Sequence, residues 1–260
     1  MQQKRFYYIV KLQFLGFRYS GWQKQPHQKT IEQMLLKTLK FILPNTNYKI
    51  LGAGRTDAKV SALDAGFELF TEKSISNIDD FIILFNKNLP PDIRISSIKQ
   101  VDASFNIIQH SKLKEYVYLF SYGQKNHPYA APFIANIIDD LDIERMKKAA
   151  TLFEGEHNFS AYTARLQENT VTNRKIESCV LVKNELLKAN FFPDNSYALH
   201  VKGKGFMRYQ IRMIMGALIE LGRGALNFND IEESLLENNQ TQLTYVAPGS
   251  GLHLNKLDFI

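Results

Sequence analysis

The chain has 260 residues, of which 45% are hydrophobic and 12% aromatic, and its formal net charge is +6. This length and composition allow one large domain or two compact ones with a real core, and they exclude a disordered chain. The positive charge favours a polyanionic partner such as nucleic acid, although an ordinary solvated surface explains it equally well.

The first hundred residues predict a β-α-β-β-α-β order of elements. Alternating apolar residues predict a strand over Phe6–Phe14, and Thr30 followed by Gln33 predicts the start of a helix that ends before Pro44. The other elements predicted in this half are strands over Tyr48–Leu51, Ala65–Phe70 and Ile93–Val101 and a helix over Ile78–Asn86. This order is typical of a split β-α-β unit.

The second half predicts a loosely similar order without a sequence repeat. Its predicted strands are Leu113–Ser121, Ile176–Lys183, Tyr197–Lys202 and Leu252–Leu257, and its helices are Asp142–Phe153, Met207–Leu221 and Asp230–Glu237. We therefore expect an α+β fold of two split-β-α-β-like halves with antiparallel sheets, residues 1–103 and 104–260.

Single features exclude several other classes of protein. Cys179 is the only cysteine, so no intramolecular disulfide forms, and a reducing cytoplasm is the simplest location. No apolar stretch reaches the roughly 20 residues that span a bilayer, and the charged, alternating N-terminus is typical of a strand rather than a signal peptide. We expect no metal site, because the six histidines lack ligand spacing: His27, His110, His127, His157, His200 and His253.

The stretch GAGRTDAKVSA, Gly52 to Ala62, combines a turn with charged residues. Its glycines predict a turn, and the sequence lacks the further residues of a dinucleotide-binding or phosphate-binding loop. Arg55 and Lys59 flank Asp57, and neighbouring cations keep a carboxylate ionised, which suits a nucleophile or a base. On local sequence alone, an aspartate that caps its own turn is the favoured interpretation.

Motifs along nearly the whole chain change that interpretation. In order they are GWQKQ, AGRTDAKVSA, NLPPDI, KEYVY, GEHNFSAY, FMRYQIRMIMGALIELG and APGSGLHL. Their order and spacing resemble the TruA family of tRNA pseudouridine synthases. The resemblance implies isomerisation of uridine to pseudouridine at positions 38 to 40 of the tRNA anticodon arm, without a metal or organic cofactor. It also implies a central RNA-binding cleft between the two halves and a homodimer in which one tRNA contacts both subunits.

The resemblance assigns roles to particular residues. Asp57 is the essential aspartate, acting as a nucleophile or as a base, and Arg55 fills the space left by the flipped base. Tyr116 stacks on that base, and Arg212 pairs with Asp57. The helical pattern places Arg208 four residues from Arg212 along the same helical edge, and we expect Arg208 to be a surface residue or an RNA-backbone contact.

The chain also departs from the family pattern. Lys59 stands where the family has glycine, Ser61 where it has histidine, and Ile108 where it has arginine, while Lys114 replaces an arginine before Tyr116. We interpret Lys59 as a contact to RNA phosphate that shifts the choice of uridine, with compensated drift and unchanged targets as the alternative. A paralogue that modifies another RNA site and a non-catalytic RNA-binding protein are the remaining alternatives.

Overall fold

The structure is a computed structural model that describes residues 5–259 except 165, 167–169, 238, 240 and 242. It is a mixed α+β fold with mostly antiparallel strands, and it divides into two compact units. The first unit comprises Met1–Lys112 and Leu254–Ile260, and the second comprises Leu113–His253. The units differ from the halves expected from sequence, because the division follows Lys112 rather than residue 103 and the last strand returns to the first unit.

The first unit contains the predicted β-α-β-β-α-β order. Its elements are β1 (Phe6–Phe14), α1 (Ile31–Ile42), β2 (Tyr48–Gly52), β3 (Ser61–Thr71), α2 (Ile78–Asn88) and β4 (Ile93–Val101). The strands lie in the order β4-β1-β3, β2 also pairs with β3, and all these pairs are antiparallel. Helix α1 begins as predicted, since the Thr30 hydroxyl accepts a hydrogen bond from the backbone N–H of Gln33.

The final strand, β10 (Leu252–Phe259), lies beside β3 in the first unit from Leu254 onward. The backbone N–H of Leu257 donates to Asp64 Oδ2 at 2.9 Å, and Lys11 Nζ lies 2.8 Å from the same carboxylate. Leu257 is buried in a cluster with Ala53 and Ile107. These long-range contacts explain why the C-terminus belongs to a unit that the order of elements alone did not predict.

The second unit is built around an antiparallel sheet in the order β5-β9-β8-β7. Its elements are β5 (Ser111–Tyr122), β6 (Ala135–Ile137), α3 (Ile143–Ala150), β7 (Gly155–Asn158), β8 (Asn173–Lys183), β9 (Ser196–Gly203), α4 (Gln210–Gly222) and α5 (Phe228–Ser234). The short strands β6 and β7 were not predicted, and β6 runs parallel to β5. Within the described residues, no helix combines the length and the apolar character needed to cross a membrane.

Two predicted helix starts were wrong. Helix α4 begins at Gln210 rather than Met207, because Tyr209 adopts a left-handed backbone conformation with φ of 65° and interrupts the helical geometry. Helix α5 begins at Phe228 rather than Asp230, because Asn227 caps it and Asp230 completes the capping box from the third helical position.

Candidate active site

The loop between β2 and β3 carries three of the predicted site residues. Arg55 and Lys59 are exposed, and Asp57 between them is half-buried. Both ends of the loop are fixed by burial: Ala53 is 6% exposed and Val60 is 2% exposed. Asp57 therefore lies on a short loop that is anchored on both sides and open to solvent along its charged edge.

A second segment, Gly16–Trp22, binds this loop through its backbone. The N–H of Trp22 donates to the carbonyl oxygen of Thr56 at 3.0 Å, and the N–H of Lys59 donates to the carbonyl oxygen of Tyr19 at 3.0 Å. The two hydrogen bonds lie on either side of Asp57. They restrict the backbone that carries the carboxylate, as a preorganised catalytic group requires.

Ser61 has a structural role in the same contact. Its side chain is buried, and Oγ accepts a hydrogen bond from the N–H of Gly16 at 2.9 Å. Ser61 thus joins the Gly16–Trp22 segment to the start of β3.

Gly16 and Gly52, next to this loop, serve close packing, whereas turn geometry was expected of Gly52. A Cβ atom on Gly16 would lie 1.8 Å from the carbonyl oxygen of Val60, and one on Gly52 would lie 2.6 Å from Trp22 Nε1. The left-handed residue of the loop is Lys59, with φ of 66°, and its Nζ lies 5.7 Å from the centroid of the Phe17 ring. Glycine adopts this conformation without steric cost, so a glycine is the residue that the geometry of position 59 favours.

Asp92 supports the Gly16–Trp22 segment, a role that the sequence did not reveal. It accepts a hydrogen bond from the Tyr19 hydroxyl at 2.6 Å and forms an ion pair with Arg18. Burial acts to raise the pKa of Asp92, but the bonds from Arg18 and Tyr19 outweigh it and hold that pKa below its ordinary value. The NLPPDI motif was the only sequence signal for this residue.

Tyr116 lies on β5 in the second unit, opposite Val201 of β9. Its ring packs edge-to-face against Phe206 at a centroid distance of 5.4 Å. Tyr118 points to the same face of the strand, because side chains alternate along it, and its hydroxyl donates to the carbonyl oxygen of Pro248 at 2.8 Å. Burial raises the pKa of Tyr118 well above its ordinary value, so this hydroxyl is a hydrogen-bond donor at neutral pH.

Arg212 lies on α4 and is bound to the segment that contains the APGSGLHL motif. Its Nε donates to the carbonyl oxygen of Ala247 at 2.7 Å, and the N–H of Ala247 donates to the carbonyl oxygen of Arg212 at 3.1 Å. Gly216, one turn further along α4, allows a close approach, since a Cβ atom there would lie 2.1 Å from the carbonyl oxygen of Tyr245. Residues 245–248 therefore lie along α4 and past the tip of Tyr118.

Arg208 lies before α4, so the prediction that it shares a helical edge with Arg212 was wrong. The left-handed residue Tyr209 separates the two arginines and contacts both. The Cζ atoms of Arg208 and Arg212 each lie 4.9 Å from the centroid of the Tyr209 ring. The two arginines therefore lie close together because both contact the Tyr209 ring, and not because they are four residues apart on one helix.

The described residues contain no group of three or more His, Cys, Asp or Glu side chains arranged to hold a metal ion. The predicted site residues offer a carboxylate, guanidinium groups and an aromatic ring, and they are divided between the two units. Arg55, Asp57 and Lys59 come together on one loop of the first unit, and Tyr116, Arg208 and Arg212 belong to the second.

Comparison with known proteins gives one consistent result. A family model described as tRNA pseudouridine synthase matches residues 149–259. The chain is 30% identical over 252 residues to the tRNA pseudouridine synthase A of Dictyoglomus thermophilum, covering 96% of this chain and 98% of that protein. It is also 30% identical over 251 residues to the tRNA pseudouridine synthase A of Aquifex aeolicus, with 96% and 98% of the two chains covered.

Proposed function

The chain belongs to the tRNA pseudouridine synthase A family, whose members are isomerases that convert uridine to pseudouridine, and we propose that it acts on positions 38 to 40 of the tRNA anticodon arm with Asp57 as the essential residue. The reaction breaks the bond between the ribose and N1 of uracil, turns the base and joins C5 to the ribose, so that C5 loses a proton and N1 gains one. Asp57 acts on the ribose, as a nucleophile or as a base.

The observation that carries this proposal is the fixed position of Asp57. Hydrogen bonds from Trp22 to Thr56 and from Lys59 to Tyr19 restrict the backbone on both sides of a carboxylate that remains partly open to solvent. A carboxylate serving only to cap its own turn needs no such bracing from a distant segment. Preorganisation of this kind is what a group that attacks or deprotonates a sugar requires.

Arg55 and Tyr116 receive the two tasks that base flipping creates. Extrusion of a paired nucleotide leaves a gap in the RNA helix. The exposed guanidinium of Arg55, two residues from Asp57, is a planar cation that can occupy this gap. The flipped uracil needs an aromatic surface, and Tyr116, which packs edge-to-face against Phe206, provides one. Stacking of this kind is typically worth about 1–3 kcal/mol per base.

The other predicted cationic residues of the site are assigned to negatively charged partners. Arg212 pairs with Asp57, while Arg208 and Lys59 contact RNA phosphates. The proposal also includes the central RNA-binding cleft, a homodimer in which one tRNA contacts both subunits, and a cytoplasmic location. The net charge of +6 supports the polyanionic substrate.

A paralogous activity on another RNA site is the second candidate, and Lys59 is the observation that favours it. A lysine in the left-handed conformation, two residues from Asp57, puts a cation where the family's glycine leaves only backbone. Phosphate contacts set the register of an RNA, so a displaced contact changes which nucleotide reaches the carboxylate.

The test uses tRNA transcripts labelled with tritium at C5 of uridine. The purified protein should release tritium from a transcript with uridines at positions 38 to 40 and none from a matched transcript with cytidines there. Release from neither transcript, nor from bulk tRNA, would contradict the proposed activity. Equal release from both would support the second candidate.

A further inference from the structure

Tyr209 has a backbone conformation that a bulky aromatic residue rarely adopts. Its φ and ψ are 65° and 0°, and it is the N-terminal cap of α4 without making a side-chain capping hydrogen bond. Residues commonly found at this position have extended backbones and short polar side chains that accept from the first turn of the helix. Tyr209 is therefore an unfavourable N-terminal cap for α4, and the presence of this residue at the cap requires another explanation.

The surrounding turn enforces this conformation. Gln210 is fully buried, its Oε1 accepts from the N–H of Met207 at 2.8 Å, and its own N–H donates to the carbonyl oxygen of Met207 at 3.2 Å. The carbonyl oxygen of Tyr209 accepts from the N–H of Met213 at 2.9 Å. Strained residues persist where neighbouring contacts determine them in this way, and such sites are often functional.

The result of the strain is the position of the Tyr209 ring. The Cζ atoms of Arg208 and Arg212 both lie 4.9 Å from its centroid, within the range of a cation–π interaction. Nη2 of Arg208 also lies 3.3 Å from the Tyr209 hydroxyl, to which it donates. An extended backbone at position 209 would direct the ring elsewhere, because φ sets the direction of the Cα–Cβ bond.

Arg212 is consequently fixed by two different groups. The Ala247 carbonyl oxygen binds Nε at 2.7 Å, and the Tyr209 ring lies against the guanidinium. We propose that Tyr209 is a positioning residue: its strained backbone places an aromatic ring that holds the Arg212 guanidinium in the orientation required to pair with Asp57. This inference rests on the proposed function and adds to it a residue that acts through Arg212.

The test compares three substitutions that separate the ring from the backbone. Tyr209→Phe keeps the ring, Tyr209→Asn keeps a residue that tolerates the left-handed conformation but removes the ring, and Tyr209→Gly removes both the ring and the strain. Asn45→Gly is the matched control, because Asn45 is an exposed left-handed residue on the loop after α1. Each variant is assayed for kcat, KM for tRNA and melting temperature.

We expect Tyr209→Asn and Tyr209→Gly to lower kcat about tenfold, with KM within about threefold of the wild type. Their melting temperatures should equal or exceed that of the wild type, because strain is removed. Tyr209→Phe should retain most of kcat, and Asn45→Gly should leave kcat and KM unchanged. Loss of activity with a gain of stability is a combination that a purely structural role does not produce.

Two results would overturn the inference: wild-type kcat in Tyr209→Asn, or a lower melting temperature in every variant with activity lost in proportion. If Tyr209→Asn does not fold, Tyr209→Phe and Tyr209→Leu are compared below their melting temperatures, and equal kcat for the two contradicts the role of the ring. Failure of the proposed function is distinguishable, because the wild-type protein would then form no pseudouridine at all.

Discussion

Arg212 and Ala247 are bound to each other in both directions. Nε of Arg212 donates to the carbonyl oxygen of Ala247, and the N–H of Ala247 donates to the carbonyl oxygen of Arg212. The side chain is thereby oriented by a main-chain segment, whereas a surface arginine is free to rotate. A guanidinium has further donors beyond Nε, and the proposed pairing with Asp57 uses one of those rather than the donor that binds Ala247.

The exchange Arg212→Lys preserves the charge and removes the Nε donor. We expect kcat to fall by about tenfold to a hundredfold, since hydrogen bonds to charged groups are worth about 1.5–3 kcal/mol. Arg94→Lys, an exposed residue of β4, is the control and should have wild-type kcat. The kinetics of pseudouridine formation measure the effect, and a kcat within twofold of wild type would show that the orientation of Arg212 does not matter.

Lys59→Gly should change stability and RNA binding in opposite directions. The left-handed backbone costs a lysine about 1–2 kcal/mol and a glycine nothing, while glycine loses more entropy on folding, so we expect a net gain of up to about 1 kcal/mol. Loss of the cation should reduce the slope of log affinity against log salt by about 1 if Lys59 contacts one phosphate.

The control for that measurement is Lys73→Gln, because Lys73 is exposed beyond the far end of β3 from the loop. It should change neither quantity. A salt slope identical in Lys59→Gly and wild-type protein would exclude the phosphate contact.

The sequence was informative where local patterns decide the structure. Strands β1 and β4 have the bounds that alternation predicted, and Thr30 caps α1 as the capping pattern indicated. The motif resemblance was confirmed by relatives that match over nearly the whole chain. Patterns within a dozen residues predict strand bounds and helix caps because periodicity and capping are local effects.

Contacts between residues that are far apart in the sequence could not be predicted from local patterns. The bond from Tyr19 to Asp92 spans many residues of sequence, and the left-handed conformation of Tyr209 depends on the buried side chain of Gln210. The departure at Lys59 was visible by resemblance, but its positive φ was not. Tertiary contacts determine such features, and a single sequence does not encode them in any short window.

Glu68 should make stability depend on pH in a particular direction. It is 1% exposed, its Oε2 accepts from the N–H of Ile107 at 3.2 Å, and its Oε1 has no hydrogen-bond partner among the described residues. Burial raises the pKa of Glu68 above the ordinary 4.5, against smaller opposing effects of Ile107 and His110. The folded protein thus binds this proton more tightly than the unfolded chain, and stability falls as pH rises from about 4.5 through the folded pKa.

Glu68→Gln removes that proton equilibrium. We expect the variant to gain free energy of unfolding relative to wild type as pH rises from 4.5 to 8, as measured by urea denaturation. Glu156→Gln, an exposed residue of β7, should show no such trend. A constant difference between Glu68→Gln and wild type across this range would mean that the carboxyl ionises without a cost from burial.

The most direct test of the account is Asp57→Asn, which preserves the size of the side chain and removes its charge. The variant should keep the melting temperature and the tRNA affinity of the wild type, while Asp102→Asn, an exposed aspartate after β4, should be fully active. The measurement is single-turnover formation of pseudouridine in a tRNA with uridine at position 39. The account predicts no detectable product from Asp57→Asn, a loss of about 10²–10⁴-fold or more. Product formation at a rate near that of the wild-type protein would contradict it.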